Sequence, residues 1–180
     1  MKISYNWLQQ FIKLDLPLEQ ICEKLTMSGL EVEHILTTES IKGGLKNLVV
    51  GHVLSKEKHP DADKLNKTTV DVGNGTILNI ICGAANVEVG QKVVVAPVGT
   101  MIYMADGSFE IKASKIRGEL SEGMICAEDE IGLGSSHDGI MVLDSAVVPG
   151  TPLTELYEVE TDTQLEIAII PNRGDAISHL

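Results

Sequence analysis

The chain opens with apolar positions at helical spacing and changes to strand alternation at Leu30. Trp7, Leu8, Phe11 and Ile12 recur three or four apart behind Ser4, whose hydroxyl suits a helix cap. Pro17 opens a second predicted helix with Leu18, Ile21, Cys22 and Leu25 on one face, and Gly29 ends it. The stretch Leu30 to Ile35 begins Leu-Glu-Val-Glu, the apolar and acidic alternation of a half-buried strand. Roughly forty residues of this kind are too few to enclose a core, so this segment needs a partner elsewhere in the chain.

From Lys42 to Pro149 the pattern is one of short strands between turn residues. Leu48 to Leu54 is apolar around Gly51 and His52, and Thr68 to Val72 and Thr76 to Ile81 flank Gly73-Asn74-Gly75, a strong hairpin signal. Lys92 to Val98 is a Val-rich strand, Asp106-Gly107 marks a second hairpin, and Met124 to Ala127 a further strand. Asp138-Gly139 turns the chain into Ile140 to Leu143. No βαβ rhythm occurs, and the spacing predicts a small closed β-barrel. Gln164 to Ile170 then repeats the grammar of Leu30 to Ile35, with Leu165, Ile167 and Ile169 on one face, so these two segments are predicted to share a sheet. The expected architecture is a discontinuous α+β outer domain, residues 1–40 plus 151–180, with an all-β barrel, residues 41–150, inserted between its halves. After Pro171, Asp175 caps a predicted helix that stops at Leu180, as expected of a piece of a longer protein.

Composition sharpens this picture. The 180 residues are 43% hydrophobic and 22% charged, a globular balance. No apolar run reaches the roughly 18 residues of a membrane span, and the start, MKISYNWLQQF, lacks a basic stretch followed by an apolar one. The expectation is a cytoplasmic protein with no membrane partner. Cys22, Cys82 and Cys126 form no close pair and read as reduced, mostly buried thiols. A net charge of −12 argues against a generic nucleic-acid binder. The charge is segregated, however. Residues 41–117 hold ten Lys or Arg against seven Asp or Glu, net +3, and the remainder holds four against nineteen, net −15.

Two constellations in the basic stretch carry candidate chemistry. Lys56, Lys58, His59, Lys64 and Lys67 surround the segment His59-Pro60-Asp61-Ala62-Asp63-Lys64-Leu65. It reads as a polar loop in which Asp61 or Asp63 folds back on backbone amides, and its cations would lie around one rim and meet phosphates. In Ser114-Lys115-Ile116-Arg117-Gly118, Lys115 and Arg117 would project from one side of a strand, with Arg117 able to grip a phosphate or a base bidentately. Gly118 and Gly123 would permit tight turns, and Met124 and Cys126 would point into the core. The few aromatics, one Trp, three Tyr and two Phe, leave little to stack bases on. No P-loop, nucleophile elbow, dinucleotide fingerprint or metal-binding histidine pair is present. His137-Asp138 reads as a surface turn, Glu128 to Glu130 as a solvated acidic run, and Arg173-Gly174-Asp175 as a chance tripeptide. No catalytic residue and no metal ligand is assigned.

Several blocks together resemble a known family. MKISYNWLQQFI, MSGLEVE (27–33), HPDADKL (59–65), ICGAANVEVGQKV (81–93), KIRGELSEGMICAEDEIGL (115–133), HDGIMVL (137–143) and PNRGDAISHL (171–180) look like the start of the bacterial phenylalanyl-tRNA synthetase β subunit. HPDADKL and the RG…SEGM block by themselves mark the wider group of tRNA-binding OB-fold domains. Gly174 and Ala176 depart from the commoner Pro and Cys. The resemblance implies an OB-fold inserted in a split N-terminal domain, within an (αβ)2 enzyme that attaches phenylalanine to tRNA using ATP and Mg2+. It implies tRNA and the α subunit as partners, and a catalytic site outside these residues, so that no cofactor is expected here. Three roles stay open: a non-catalytic module assisting tRNA binding or subunit architecture, a protein-interaction scaffold with a vestigial OB-fold, and a stand-alone tRNA-binding or chaperone-like protein.

Overall fold

The computed structural model describes residues 1–104 and 107–168. Among them the chain is mostly β, with two short α-helices, and it divides into two compact units. One is Met1–Ser40 with the segment that begins at Glu160; the other is Ile41–Val159. In chain order the smaller unit starts with β1 (Lys2–Ser4), α1 (Tyr5–Gln9), α2 (Leu18–Met27) and β2 (Val32–Glu39). The larger unit follows with β3 (Val49–His59), β4 (Ala62–Asp71), β5 (Ile77–Cys82), β6 (Lys92–Pro97), β7 (Met101–Met104) and β8 (Gly107–Glu110). It continues with β9 (Ser114–Ile116), β10 (Glu119–Ser121), β11 (Gly123–Ile125) and β12 (Val142–Leu143), and β13 (Thr161–Ile167) belongs to the smaller unit.

In the smaller unit β13 is the middle strand, with β1 on one side and β2 on the other, all antiparallel. Val32 lies opposite Ile167 and Ile35 opposite Leu165, so the two segments read as sheet partners do pair, across a bulge between Glu166 and Ile167. The strand β1 was not anticipated; it sets Ile3 opposite Leu165. Leu165 and Ile167 are buried, as a middle strand demands. The Trp7 N–H donates to the Ser4 hydroxyl at 2.9 Å, the cap read from sequence. α1 nevertheless stops at Gln9, and Phe11 and Ile12 are exposed beyond it, because a single turn gains too few hydrogen bonds to propagate. At the end of α2 the Gly29 N–H donates to Thr26 O and the Leu30 N–H to Leu25 O, with Gly29 at φ +91°. This pair of bonds around a left-handed residue turns the chain into β2.

The larger unit is built on the antiparallel order β11-β6-β3-β4-β5, with β12 also on β6. β3 is long enough to serve two neighbours. Val49 to His52 pair with β6, and His52 to His59 pair with β4. A bulge between Val53 and Ser55 sits next to the changeover, where it increases the local twist and curls the sheet. Along β6, Val93 and Val95 enter one buried cluster with Val53, Val70, Ile80 and Ile125. Val94 and Ala96 enter the other, with Leu48, Val50, Ile102 and Leu153. Both faces of β6 are therefore covered, which explains an unbroken apolar run instead of alternation. Gly51 lies on β3 between β6 and β4, whose valines close over it: a Cβ there would stand 2.5 Å from Val95 Cγ2 and 2.6 Å from Val70 Cγ1.

Several expectations change in detail. Among the described residues the strand ladder does not close. The outer edge of β5 is met by the Glu122 N–H donating to Asn79 O at 2.8 Å and by the Ser121 hydroxyl, which accepts from the Ile81 N–H at 3.1 Å. The segment at 59–65 is a tight hairpin, with Pro60 and Asp61 between β3 and β4 and His59 opposite Ala62. Residues 151–159 stay with the larger unit, because Leu153 is fully buried and its N–H donates to Leu48 O at 2.9 Å. Gly123 is not a turn residue but lies in β11, where an added Cβ would meet Ala96 O at 2.9 Å. Asp106, Ile169 to Pro171, the Arg173-Gly174-Asp175 tripeptide and the helix expected from Asp175 lie outside the described residues.

Gly51→Ala is expected to destabilise the larger unit by about 1–3 kcal/mol, because the neighbouring valines are stiff and the site is full. Urea unfolding measures this, and adding Val95→Ala should recover part of the loss.

Candidate nucleic-acid interface

Each candidate cation is positioned by one of two hairpins. The first is β3–β4, with its tip at Pro60 and Asp61. Directly opposite residues share a sheet face, so Lys56 with Thr68 and Lys58 with Asn66 lie on one face and Glu57 with Lys67 on the other. The five groups expected around one rim are thus divided between two faces. Lys56 is ion-paired with Glu88 at 2.9 Å, and Lys67 with Glu119 at 2.9 Å. Lys58 and Lys64 are exposed. His59 is buried, and the group that folds back on the backbone is its ring, not an aspartate: the Asp61 N–H donates to His59 Nδ1 at 3.1 Å.

The second hairpin is β9–β10, joined by Arg117 (φ +51°) and Gly118 (φ +92°). Two successive left-handed residues make the mirror-image turn whose twist matches a hairpin. Gly118 adopts it freely. Arg117, a residue with a Cβ, holds it under strain. Arg117 therefore sits in the turn and not on a strand face beside Lys115, as alternation had implied. Both are exposed at the same end of the hairpin.

These two constellations, about fifty positions apart in the chain, are brought together by tertiary contacts. His59 Nε2 bonds the carbonyl of Ile116 at 3.2 Å, and the Lys67–Glu119 ion pair links the same two hairpins. Among the described residues no ion pair involves Lys58, Lys64, Lys115 or Arg117. The four form the unpaired cationic component, with Asp61 and Asp63 as acidic neighbours in the chain.

Beside them, on the Lys67 face of β4, is a groove of about 400 Å³ lined by Ser55, Glu57, Thr69, Asn79 and Glu119. The Ser55 and Thr69 hydroxyls are 2.7 Å apart. Sequence reading missed these polar residues, because single hydroxyls in a strand carry no pattern; the strand register alone aligns them. A second cavity of about 460 Å³ is bordered by Cys82, Met124, Glu130, His137 and Ile140. Among the described residues no Phe, Tyr or Trp lines either one. All three cysteines are free and buried, and burial pushes the thiols of Cys82 and Cys126 up. His137 is exposed, with Nδ1 2.9 Å from Asp129 Oδ2.

The tRNA_bind family model, described as "Putative tRNA binding domain", matches residues 48–152, the stretch that contains both hairpins. The chain belongs to this family. Over 99% of its length it is 53% identical to the phenylalanine–tRNA ligase β subunit of Bacteroides fragilis and 52% identical to that of Porphyromonas gingivalis. It is 46% identical over its full length to the β subunit of Chlorobaculum tepidum. It spans 22% of the length of each of these relatives. Among solved structures, the chain is similar to a MetRS related protein from Pyrococcus horikoshii, at 25% identity over 58% of this chain and 85% of that one, with a TM-score of 0.42.

Asp129 bonds His137 and raises its pKa from the ordinary 6.5. A raised imidazole value stabilises the fold below the unfolded-state pKa, and that contribution is lost as pH rises through the folded value. Asp129→Asn is expected to return the His137 NMR titration toward 6.5 and remove this pH dependence; an unmoved titration would show that the pair does not persist in solution.

Proposed function

We propose that this chain is the N-terminal portion of a phenylalanyl-tRNA synthetase β subunit, and that its larger unit is an inserted OB-fold barrel that assists tRNA binding without catalysis of its own. The similarity over the whole chain to phenylalanine–tRNA ligase β subunits supports the family context. The observation that carries the tRNA role is the convergence of the two hairpins, which sets Lys58, Lys64, Lys115 and Arg117 at neighbouring loop ends of a tRNA-binding family domain. In OB-folds such loops and the adjoining strand face receive oligonucleotides.

On this reading the contact is to phosphates. Each unpaired ammonium or guanidinium displaces condensed counterions, and neither cavity supplies a stacking platform. The contact then positions tRNA and carries little sequence information. The smaller unit is the split outer domain, the α subunit completes an (αβ)2 assembly, and the whole enzyme works in the cytoplasm. Among the described residues no group of three His, Cys, Asp or Glu side chains is placed to hold a metal ion. By the family resemblance, ATP, Mg2+ and phenylalanine activation belong to other parts of that enzyme.

A second reading, a protein-interaction scaffold, is favoured by exposed apolar residues of the smaller unit. Trp7 and Phe11 meet edge to face with centroids 4.9 Å apart, yet are 52% and 66% exposed. The two readings differ in ionic-strength dependence: phosphate contacts weaken steeply with salt, whereas apolar packing does not.

Lys64→Glu with Arg117→Glu is expected to weaken tRNA binding at low salt by about tenfold or more and to lower the salt slope by about two units. Filter binding across a salt series reads both, and unchanged affinity and slope would refute the RNA role. Arg117→Gly separates binding from folding: it relieves the left-handed strain and should raise stability by about 0.5–1 kcal/mol while weakening tRNA binding.

A further inference from the structure

One imidazole ties together the hairpins that carry the unpaired cations. His59 is 4% exposed, at the end of β3. Its Nδ1 lies 3.1 Å from the Asp61 backbone nitrogen, whose N–H can only donate. Nδ1 therefore carries no proton, and the neutral ring holds its proton on Nε2. That N–H donates to the Ile116 carbonyl at 3.2 Å. The ring thus reaches from the turn of β3–β4 to the last strand residue before the turn of β9–β10. Both nitrogens are engaged, so His59 has nothing left to offer a phosphate, although its neighbours do. Lys58 adjoins it and Lys64 follows the Pro60–Asp61 turn, while Lys115 and Arg117 flank Ile116. The other tie, Lys67–Glu119, has side chains 38% and 35% exposed and is weakened by solvent.

We propose that His59 is a positioning residue that locks the two hairpin tips together, so that Lys58, Lys64, Lys115 and Arg117 meet a nucleic-acid phosphate backbone as one surface. This rests on the tRNA-binding reading above. Its physical content is effective concentration: once one tip is engaged, a fixed second tip binds without a fresh search, whereas a loose one must be ordered at each encounter.

The experiment measures tRNA binding by the 180-residue chain across a salt series. His59→Phe keeps a ring of similar size and removes both hydrogen bonds. It is expected to weaken binding about tenfold and to lower the salt slope by about two units, the share of Lys115 and Arg117. Adding Lys115→Gln to His59→Phe should then have little further effect, although Lys115→Gln alone weakens binding in the wild type. His59→Gln, which can still donate to the Ile116 carbonyl, should recover part of the loss. If His59→Phe lowers stability but leaves the salt slope and the effect of Lys115→Gln unchanged, the positioning role is overturned while the tRNA reading stands. If the wild-type chain binds no tRNA at low salt, both fall. Should His59→Phe fail to fold, the ring nitrogens of the wild-type protein decide by 15N NMR on free and tRNA-bound chain. A proton on Nε2 alone, with an Asp61 N–H protected from exchange in both states, supports the clamp; a proton on Nδ1, or on both nitrogens, overturns it.

Discussion

The larger unit depends on a strand that must be dry on both sides. Val93 to Ala96 of β6 are 0% exposed, with alternate residues committed to two separate clusters. A strand buried in this way fills its hydrogen bonds on both edges, and here β3 takes one while β11 and β12 share the other. An unpaired backbone group in that position would cost about as much as a lost buried hydrogen bond. Gly51 follows from the same requirement, because β3 runs between β6 and β4 and no Cβ fits between the Val95 and Val70 side chains. Gly73 and Gly150 repeat the arrangement at the end of β4, where a Cβ on Gly73 would lie 2.7 Å from Gly150 Cα.

A rigid base of this kind lets function reside in hairpins. The core ends where β3 and β4 run on beyond it, and the side chains there change from Val53 and Val70 to Lys56, Lys58 and Asn66. The projecting tips are then secured by polar means, a buried ring and an ion pair, which orient cations without burying them. Such an arrangement suits the proposed contact with a polyanion, because exposed cations keep their hydration until counterions are released.

Where the sequence could be read, its period was unambiguous. The alternation at Leu30 to Ile35 and at Leu165 to Ile167 announced two partners, the Val-rich run announced a strand whose burial on both faces only the packing revealed, and Gly73-Asn74-Gly75 announced the turn between β4 and β5. Failures fell where local signals were short or ambiguous. β1 has only three residues, too few to display a period. His59-Pro60-Asp61 looked like a loop because Pro and Asp dominate loops, yet a two-residue turn between long strands needs the same residues. Arg117 was read as a strand residue because nothing local marks a left-handed arginine; only the pairing of Ile116 with Glu119 requires it.

The candidate site separates the two kinds of information. The sequence by itself determined which residues carry charge, that the positive ones gather in residues 41–117, and the strand grammar of the regions around them. Those are properties of composition and of a repeat of two, which a linear string displays. Tertiary structure alone decided that Lys56 and Lys67 pair with Glu88 and Glu119, that the buried His59 ring meets the Ile116 carbonyl, and that Lys58 and Arg117 belong to linked hairpins. The reason is that partners far apart in the chain are selected by register, and register is set by the burial of the whole sheet, which no local window of sequence contains.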